Sequence, residues 1–337
     1  MVPNSKQSTP HRALRRVFVT RSLPDSGLAA LADAATVEVW PARRAPTPAE
    51  LIEQTADCEG LLCLLTDRID AALLERCPRL RAVSSVSVGV DHVDLAAATG
   101  RGIPVGHTPG VLTETTADLA FALLLDAARR VSEGDRFVRS GAWVPERVWE
   151  PDMLLGRDVY GATLGLVGMG AIGQAVARRA AGFGLRVLAW SRRERSLPGV
   201  EWTSLDALLG CSDFVSVHVA LTDATRGLLG AAAIARMKPG AVLVNTARGG
   251  IVDEDALAEA LRAGRLAAAG LDVFAREPLD PASPLLALPN VVLTPHIGSA
   301  SEATRMRMIA LAVRNLRAAL AGERMPHCAN PAVYEQS

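Results

Sequence analysis

Three residues of this chain stand where chemistry can be done. Arg248 follows Val242-Leu243-Val244-Asn245 by way of Thr246-Ala247. Glu277 follows Leu271-Asp272-Val273-Phe274 by way of Ala275-Arg276. His296 follows Val291-Val292-Leu293-Thr294-Pro295. Each apolar stretch has the length of a buried parallel strand. In doubly wound sheets the ligand crevice lies beyond the carboxyl ends of the strands, so all three are candidates for one site. An imidazole is the natural proton donor near neutral pH, and a carboxylate on its other ring nitrogen would orient it and raise its pKa. A guanidinium would clamp a carboxylate and polarise a carbonyl oxygen. Together the three suit hydride transfer to a 2-keto acid. Taken singly, Arg248 or Glu277 is more often a surface charge. His218, also at a strand end, is expected to pack beside a cofactor.

A second constellation precedes these. Gly168-Met169-Gly170-Ala171-Ile172-Gly173 follows the apolar run 163–167 and opens a segment of good helix formers, 174–181. A further apolar run, 187–190, closes the unit. In this β-α-β setting the G-x-G-x-x-G spacing predicts a dinucleotide site. The first glycine permits the turn and the second lets backbone approach a pyrophosphate. The third lets helix and strand pack, and the helix amino terminus faces the phosphates. After the second strand an NAD site usually carries Asp or Glu for the ribose 2′-hydroxyl. This chain has Ser191-Arg192-Arg193. A hydroxyl and two guanidinium groups would bind a 2′-phosphate that a carboxylate would repel. The pattern predicts NADP(H) in preference, with NAD(H) possible; a solvated basic turn is the plainer alternative.

Strands are expected at 17–20, 37–40, 60–65, 81–85 and 103–106, with helices at 23–34, 70–77 and 94–99. Thr47-Pro48 fits a helix start. The long helix 113–130 has caps available in 113–116 and links two α/β units. Residues 131–160 read as irregular. Trp143 and Trp149 there are core plugs or, on the preferred reading, an arm reaching a partner subunit. Strands at 214–219, 241–245, 267–273 and 291–294 complete a second, doubly wound sheet, with a helix from about Asp253 to Gly264 and a final one at 301–321.

The 337 residues suffice for two domains, and 49% apolar content supplies their cores. Lys plus Arg balances Asp plus Glu at 36 each, and aromatics make up only 4%, which argues against nucleic acid and anionic membranes as partners. Five scattered cysteines without a C-x-x-C pair indicate neither a disulfide framework nor a metal site, and fit a reducing cytoplasm. Residues 1–12 lack an apolar signal core and are expected to form a flexible tail. The strongest apolar segment, 119–125, is far too short to span a bilayer.

The chain resembles the D-isomer-specific 2-hydroxyacid dehydrogenases, and within them is most similar to glyoxylate/hydroxypyruvate reductases. The resemblance is carried by Ser87-Val-Gly-Val-Asp-His-Val-Asp94, Thr108-Pro-Gly-Val-Leu-Thr-Glu-Thr-Thr-Ala-Asp118, Gly168 to Gly173, Asn245-Thr-Ala-Arg-Gly-Gly-Ile-Val-Asp253, Gly270-Leu-Asp-Val273 and Pro295-His-Ile-Gly-Ser-Ala300. It implies two Rossmann-like or flavodoxin-like parallel-sheet domains, the nucleotide-binding one (108–295) inserted into a substrate domain (1–107 and 296–337), with cleft closure excluding water. It implies a reductase of glyoxylate or hydroxypyruvate, with Arg248, Glu277 and His296 catalytic and His296 protonating the carbonyl oxygen. The backbone N–H groups of Val88 and Gly89 would hold the substrate carboxylate. Arg248, His296, Ser299 and, from a second subunit's arm, Trp149 would line the pocket. Gly168, Gly170, Ala171, Ile172, Gly173, Ser191, Arg192, Arg193, Ala220, Thr246, Asp272 and Thr116 match cofactor contacts. A homodimer is implied, with the 113–130 helix contributing to its interface. One departure is His218-Val-Ala220-Leu-Thr222, where the family often has Pro at the third position. Another substrate on the same fold, such as formate or phosphite, or a dinucleotide-sensing binding protein, are the alternatives.

Overall fold

The computed structural model describes residues 15–194 and 197–335; the expected tail, 1–12, lies outside the described residues. The chain divides into two compact units, Met1–Val111 with Glu302–Ser337, and Leu112–Ser301. The breaks fall a few residues beyond the expected 107 and 295. The reason lies in residues 294–298, which are hydrogen-bonded to Asp272 and Thr116. His296 and Ser299 therefore belong to the inserted unit.

The discontinuous unit begins with β1 (Arg15–Val19), α1 (Asp25–Ala32), β2 (Ala35–Val39), α2 (Pro48–Thr55), β3 (Gly60–Cys63), α3 (Ala71–Arg76), β4 (Ala82–Ser85), α4 (Leu95–Gly100) and β5 (Val105–Gly106). The inserted unit runs α5 (Thr113–Arg129), α6 (Val131–Arg139), β6 (Thr163–Val167), α7 (Ala171–Gly182), β7 (Arg186–Trp190), β8 (Val200–Trp202) and α8 (Leu205–Cys211). It continues with β9 (Phe214–Val217), α9 (Ala231–Arg236), β10 (Val242–Asn245), α10 (Glu254–Arg262), β11 (Ala268–Leu271) and β12 (Val291–Leu293). Then α11 (Glu302–Ala321) completes the first unit, packing on α1, β3 and β4.

Both sheets are parallel throughout. The first has the order β2-β1-β3-β4-β5, the flavodoxin-like arrangement, and the second β12-β11-β10-β9-β6-β7-β8. In the second, the winding reverses between β6 and β9, which places the ligand crevice at the carboxyl ends of these strands. Strand residues alternate between two cores, as a pleat requires. Phe214, Val242 and Val244 meet α5 and α7, while Val215, Val217 and Leu243 face the core that takes in α8, α9 and α10.

Local chemistry explains most element ends. Thr47 caps α2 through the Glu50 N–H, the Glu50 carboxylate returns to Thr47 N–H, and Pro48 sits at the first helical position. For α5 the structure differs from expectation. Leu112 occupies the cap position with no side-chain bond, and Thr116 is buried for another use. Arg130 takes a left-handed conformation, φ 55°, which ends α5 and starts α6 at once. Sequence reading expects 131–160 to be irregular; α6 forms there as a short helix that carries Gly134 and buries none of its residues. It is held by pairs such as Arg139–Asp135 and Arg130–Glu133. The three-residue β8, partly exposed throughout, was equally silent. Strands expected to run to 219 and 273 end at Val217 and Leu271; the residues beyond turn into the site. Among the described residues no helix is long and apolar enough to cross a membrane, all five cysteines are free, and no cluster of side chains could hold a metal ion.

Candidate active site

Three loops at the carboxyl ends of β10, β11 and β12 carry Arg248, Glu277 and His296. The Arg248 turn is fixed by Asn245, whose side chain accepts from Ala247 N–H and donates to the Arg248 carbonyl, at 3.0 and 2.9 Å. Arg248 itself is extended in backbone and half-buried. Glu277 accepts the Phe274 N–H on one carboxylate oxygen and His296 Nδ1 on the other, at 3.0 and 2.7 Å. Burial pushes this carboxyl up. The hydrogen bonds from His296 and the Phe274 N–H, with the charges of His296 and Arg248, outweigh it and hold the group below the usual carboxylate value. The pair retains access to solvent, with side chains 24% and 28% exposed for His296 and Glu277. With Nδ1 engaged, Nε2 is the nitrogen left to meet a substrate.

His296 stands in the left-handed region at φ 55°, a conformation that a non-glycine residue holds only when its surroundings impose it. The surroundings are visible. Its N–H reaches the Asp272 and Thr294 carbonyls. The buried Asp272 carboxylate accepts from Thr294 Oγ1, Ile297 N–H and Gly298 N–H at 2.7 to 2.8 Å, and Thr116 Oγ1 donates to the Gly298 carbonyl at 3.0 Å. Burial dominates the raised pKa of Asp272 against those hydrogen bonds. Asp272 and Thr116, expected beside the cofactor, are therefore both engaged in holding the histidine's turn.

The glycine turn fits a dinucleotide. Gly168 has φ +109°, and a Cβ there would stand 2.7 Å from the His218 backbone, so a side chain is excluded on both counts. A Cβ on Gly170 would meet nothing within 4 Å; this is open space beside the amino terminus of α7, where Ala171 and Ile172 begin a helix that no side chain caps. Gly173 lies against the Gly168 carbonyl. Ser191, Arg192 and Arg193 line a cavity of about 550 Å³ together with Met169 and Gly170. Thr246 Oγ1 is buried without a hydrogen-bond partner among the described residues, an orphan that a bound polar group would satisfy. Ala220 is exposed, its carbonyl accepting from Thr225 Oγ1. Burial lowers the His218 pKa to about 4; its ring bonds to Ser216 at 2.9 Å, and it stays neutral.

Within the other unit, Val88 and Gly89 follow β4. The Val88 carbonyl meets His107 Nδ1 at 3.0 Å and the Gly89 carbonyl accepts from Ser87 Oγ at 2.7 Å. Neither amide N–H donates to a protein acceptor among the described residues, leaving two adjacent donors for an anion. Ser299 is half-buried next to the histidine turn, and Trp149 is 78% exposed on the 131–160 segment. Sequence reading missed Asn245, Thr294 and Glu254, whose carboxylate reaches the Glu277 loop. Asn245 lay in view, directly ahead of Arg248, but its work is contact with backbone, which spacing does not reveal.

A dinucleotide cradle and an acid–imidazole–guanidinium set on one doubly wound sheet define an NAD(P)-dependent oxidoreductase. Residues 121–298 match the model of the NAD binding domain of the D-isomer specific 2-hydroxyacid dehydrogenases, and the chain belongs to that family. It is 52% identical to a glyoxylate reductase of Korarchaeum cryptofilum over 95% of this chain and 97% of that one. A solved structure from Thermus thermophilus superposes with TM-score 0.87 at 52% identity, covering 93% and 99% of the two chains. The NADPH-dependent glyoxylate/hydroxypyruvate reductase of Sinorhizobium meliloti, solved with NADP and malonate, gives 0.83 at 33% identity over 95% and 98%.

Proposed function

We propose that this protein reduces small 2-keto acids, glyoxylate and hydroxypyruvate, to the 2-hydroxy acids with NADPH preferred. The observation that carries the reading is the 2.7 Å contact from His296 Nδ1 to Glu277, on a turn that presents Nε2. A nicotinamide dinucleotide held at the glycine turn would supply the hydride for the carbonyl carbon. His296 Nε2 donates its proton to the carbonyl oxygen as charge develops there, and Glu277 stabilises the imidazolium and fixes its tautomer. Arg248 opposes the negative charge of the substrate, and the Val88 and Gly89 amides bind its carboxylate. Ser299 lines the pocket. Gly170, Ala171 and Ile172 receive the pyrophosphate, Thr246 a polar group of the cofactor, and Ser191, Arg192 and Arg193 the 2′-phosphate. The discontinuous unit is the substrate domain. The protein acts as a homodimer in which Trp149 of one copy serves the other; Val131, Val138, Trp143, Val148, Trp149 and Tyr160, all exposed on this segment, support such a covering.

In support, the Korarchaeum cryptofilum relative is named a glyoxylate reductase, and the Sinorhizobium meliloti one an NADPH-dependent glyoxylate/hydroxypyruvate reductase solved with NADP. The test follows loss of nicotinamide absorbance with NADPH and NADH in parallel against glyoxylate, hydroxypyruvate and pyruvate. Wild type should turn over the first two with NADPH at the lower KM. Replacing Arg192 and Arg193 by Ala should raise the NADPH KM on the order of tenfold, for loss of charge-assisted phosphate bonds, and leave NADH unaffected. An unchanged NADPH KM would overturn the 2′-phosphate assignment; absence of turnover with every acid would overturn the substrate class.

A further inference from the structure

The loop that carries Glu277 has its start packed in the core through Val273 and Phe274, but few hydrogen bonds fix it beyond them. Phe274 N–H bonds to Glu277 itself, so that contact moves with the loop. Arg276 pairs with Asp280, still farther along the same stretch. Among the described residues, one backbone hydrogen bond ties residues 273–277 to another element: Ala275 N–H donates to Glu254 Oε1 at 2.5 Å.

Glu254 is well placed to act as an anchor. It is the first residue of α10, whose start is fixed twice. Asp253 caps it through Ala256 N–H, and Asp253 N–H bonds to the Leu229 carbonyl beside the Leu229–Val252 bridge. A Cβ on Gly249 would stand 1.8 Å from the Phe274 carbonyl carbon and 2.2 Å from Ala275 N. The turn after Arg248 thus presses directly on the bond in question. Burial, then the nearby charges of Asp255 and Glu277, raise the Glu254 pKa against the Ala275 hydrogen bond. Glu254 is half-buried, and its carboxylate stands near that of Glu277.

We infer that Glu254 is a positioning residue for the reaction: by holding Ala275 N–H it sets the Glu277 carboxylate against His296 Nδ1. The inference rests on the reading of Glu277 and His296 given above. It explains why the acid arrives correctly placed from a loop without regular structure. Glu254 touches neither ring nor guanidinium and acts through Glu277. The charged groups around the segment are Asp253 and Asp255 at the helix start, Arg248 from the β10 turn, Asp272 beyond β11, Arg276 and Asp280 in the loop, and His296.

The test uses Glu254→Ala, which removes the acceptor, and Glu254→Gln, which keeps an oxygen and removes the charge, each in wild type and in Glu277→Gln. Two readouts are taken: kcat and KM for glyoxylate, and the His296 ring titration followed by NMR in the protein without added cofactor. Glu254→Ala should lower kcat on the order of tenfold, as small misplacements of reacting groups do, with cofactor KM unchanged and the His296 ring signal altered from that of wild type. Glu254→Gln should keep most of kcat. In Glu277→Gln, Glu254→Ala should add nothing to either readout. Equal losses from Glu254→Ala in both backgrounds, or a lowered melting temperature with kcat and titration unmoved, would overturn the inference. If wild type reduces no 2-keto acid, the substrate reading fails, while the NMR titration still decides the role of Glu254.

Discussion

At the residue scale the Glu277–His296 pair makes a prediction about acid. The folded pKa of Glu277 is depressed, so the carboxylate persists as pH falls through its ordinary value. Its contribution is present above that value and lost only as pH drops through the lower, folded one. The Glu277 contribution to kcat should therefore persist through about pH 4.3, where a free glutamate titrates, and be lost below it. Glu277→Gln should lower kcat and remove this acid limb, because the His296 ring loses the carboxylate that holds Nδ1. A kcat–pH profile unchanged by the substitution would show that the pair is not in the reacting path. The three candidate residues stand out in the sequence because each follows an apolar strand run. The left-handed turn of His296 does not, since it arises from Asp272 and Thr116, residues distant in sequence whose types fit many roles.

At the element scale the β6–α7 turn is the most constrained. Gly168→Ala must accept both a positive φ and a contact of 2.7 Å with the His218 backbone. A loss of about 1–3 kcal/mol from strain alone, plus displacement of the strand end, should appear as a lowered melting temperature and weaker dinucleotide binding. Wild-type values for both would contradict the cradle. Strands and core helices were readable here because burial on both faces leaves continuous apolar runs. What escaped was α6, a helix supported by ion pairs on its own surface and by the Arg130 reversal, and β8, too short for a period to show.

At the scale of the whole molecule, the chain divides into two units at 111/112 and 301/302, against the 107/108 and 295/296 expected from sequence. The position of the joints was not legible there, because it depends on which residues the 294–298 turn bonds to. Each unit has its own core. Residues 112–301, expressed alone, should unfold in one cooperative transition by circular dichroism, whereas 1–111 alone should not. The missing element is α11. Its Asn315 bonds to the His107 carbonyl, Ser84 donates to the Ala312 carbonyl, and Leu316 and Met308 are buried. Cooperative unfolding of 1–111 by itself would contradict this.

The return of α11 to the first sheet has a further consequence during synthesis. The strands β1 to β5 leave the ribosome before the inserted unit, yet the helix that covers β3 and β4 is made only after it. At about 5–20 residues per second, the intervening segment takes on the order of 10 to 40 seconds to appear. Throughout that interval the nascent sheet presents an uncovered apolar face, while the contiguous unit behind it can already close. The unit translated first is thus the one completed last, and the newborn chain's need for chaperone protection should centre on its amino-terminal third.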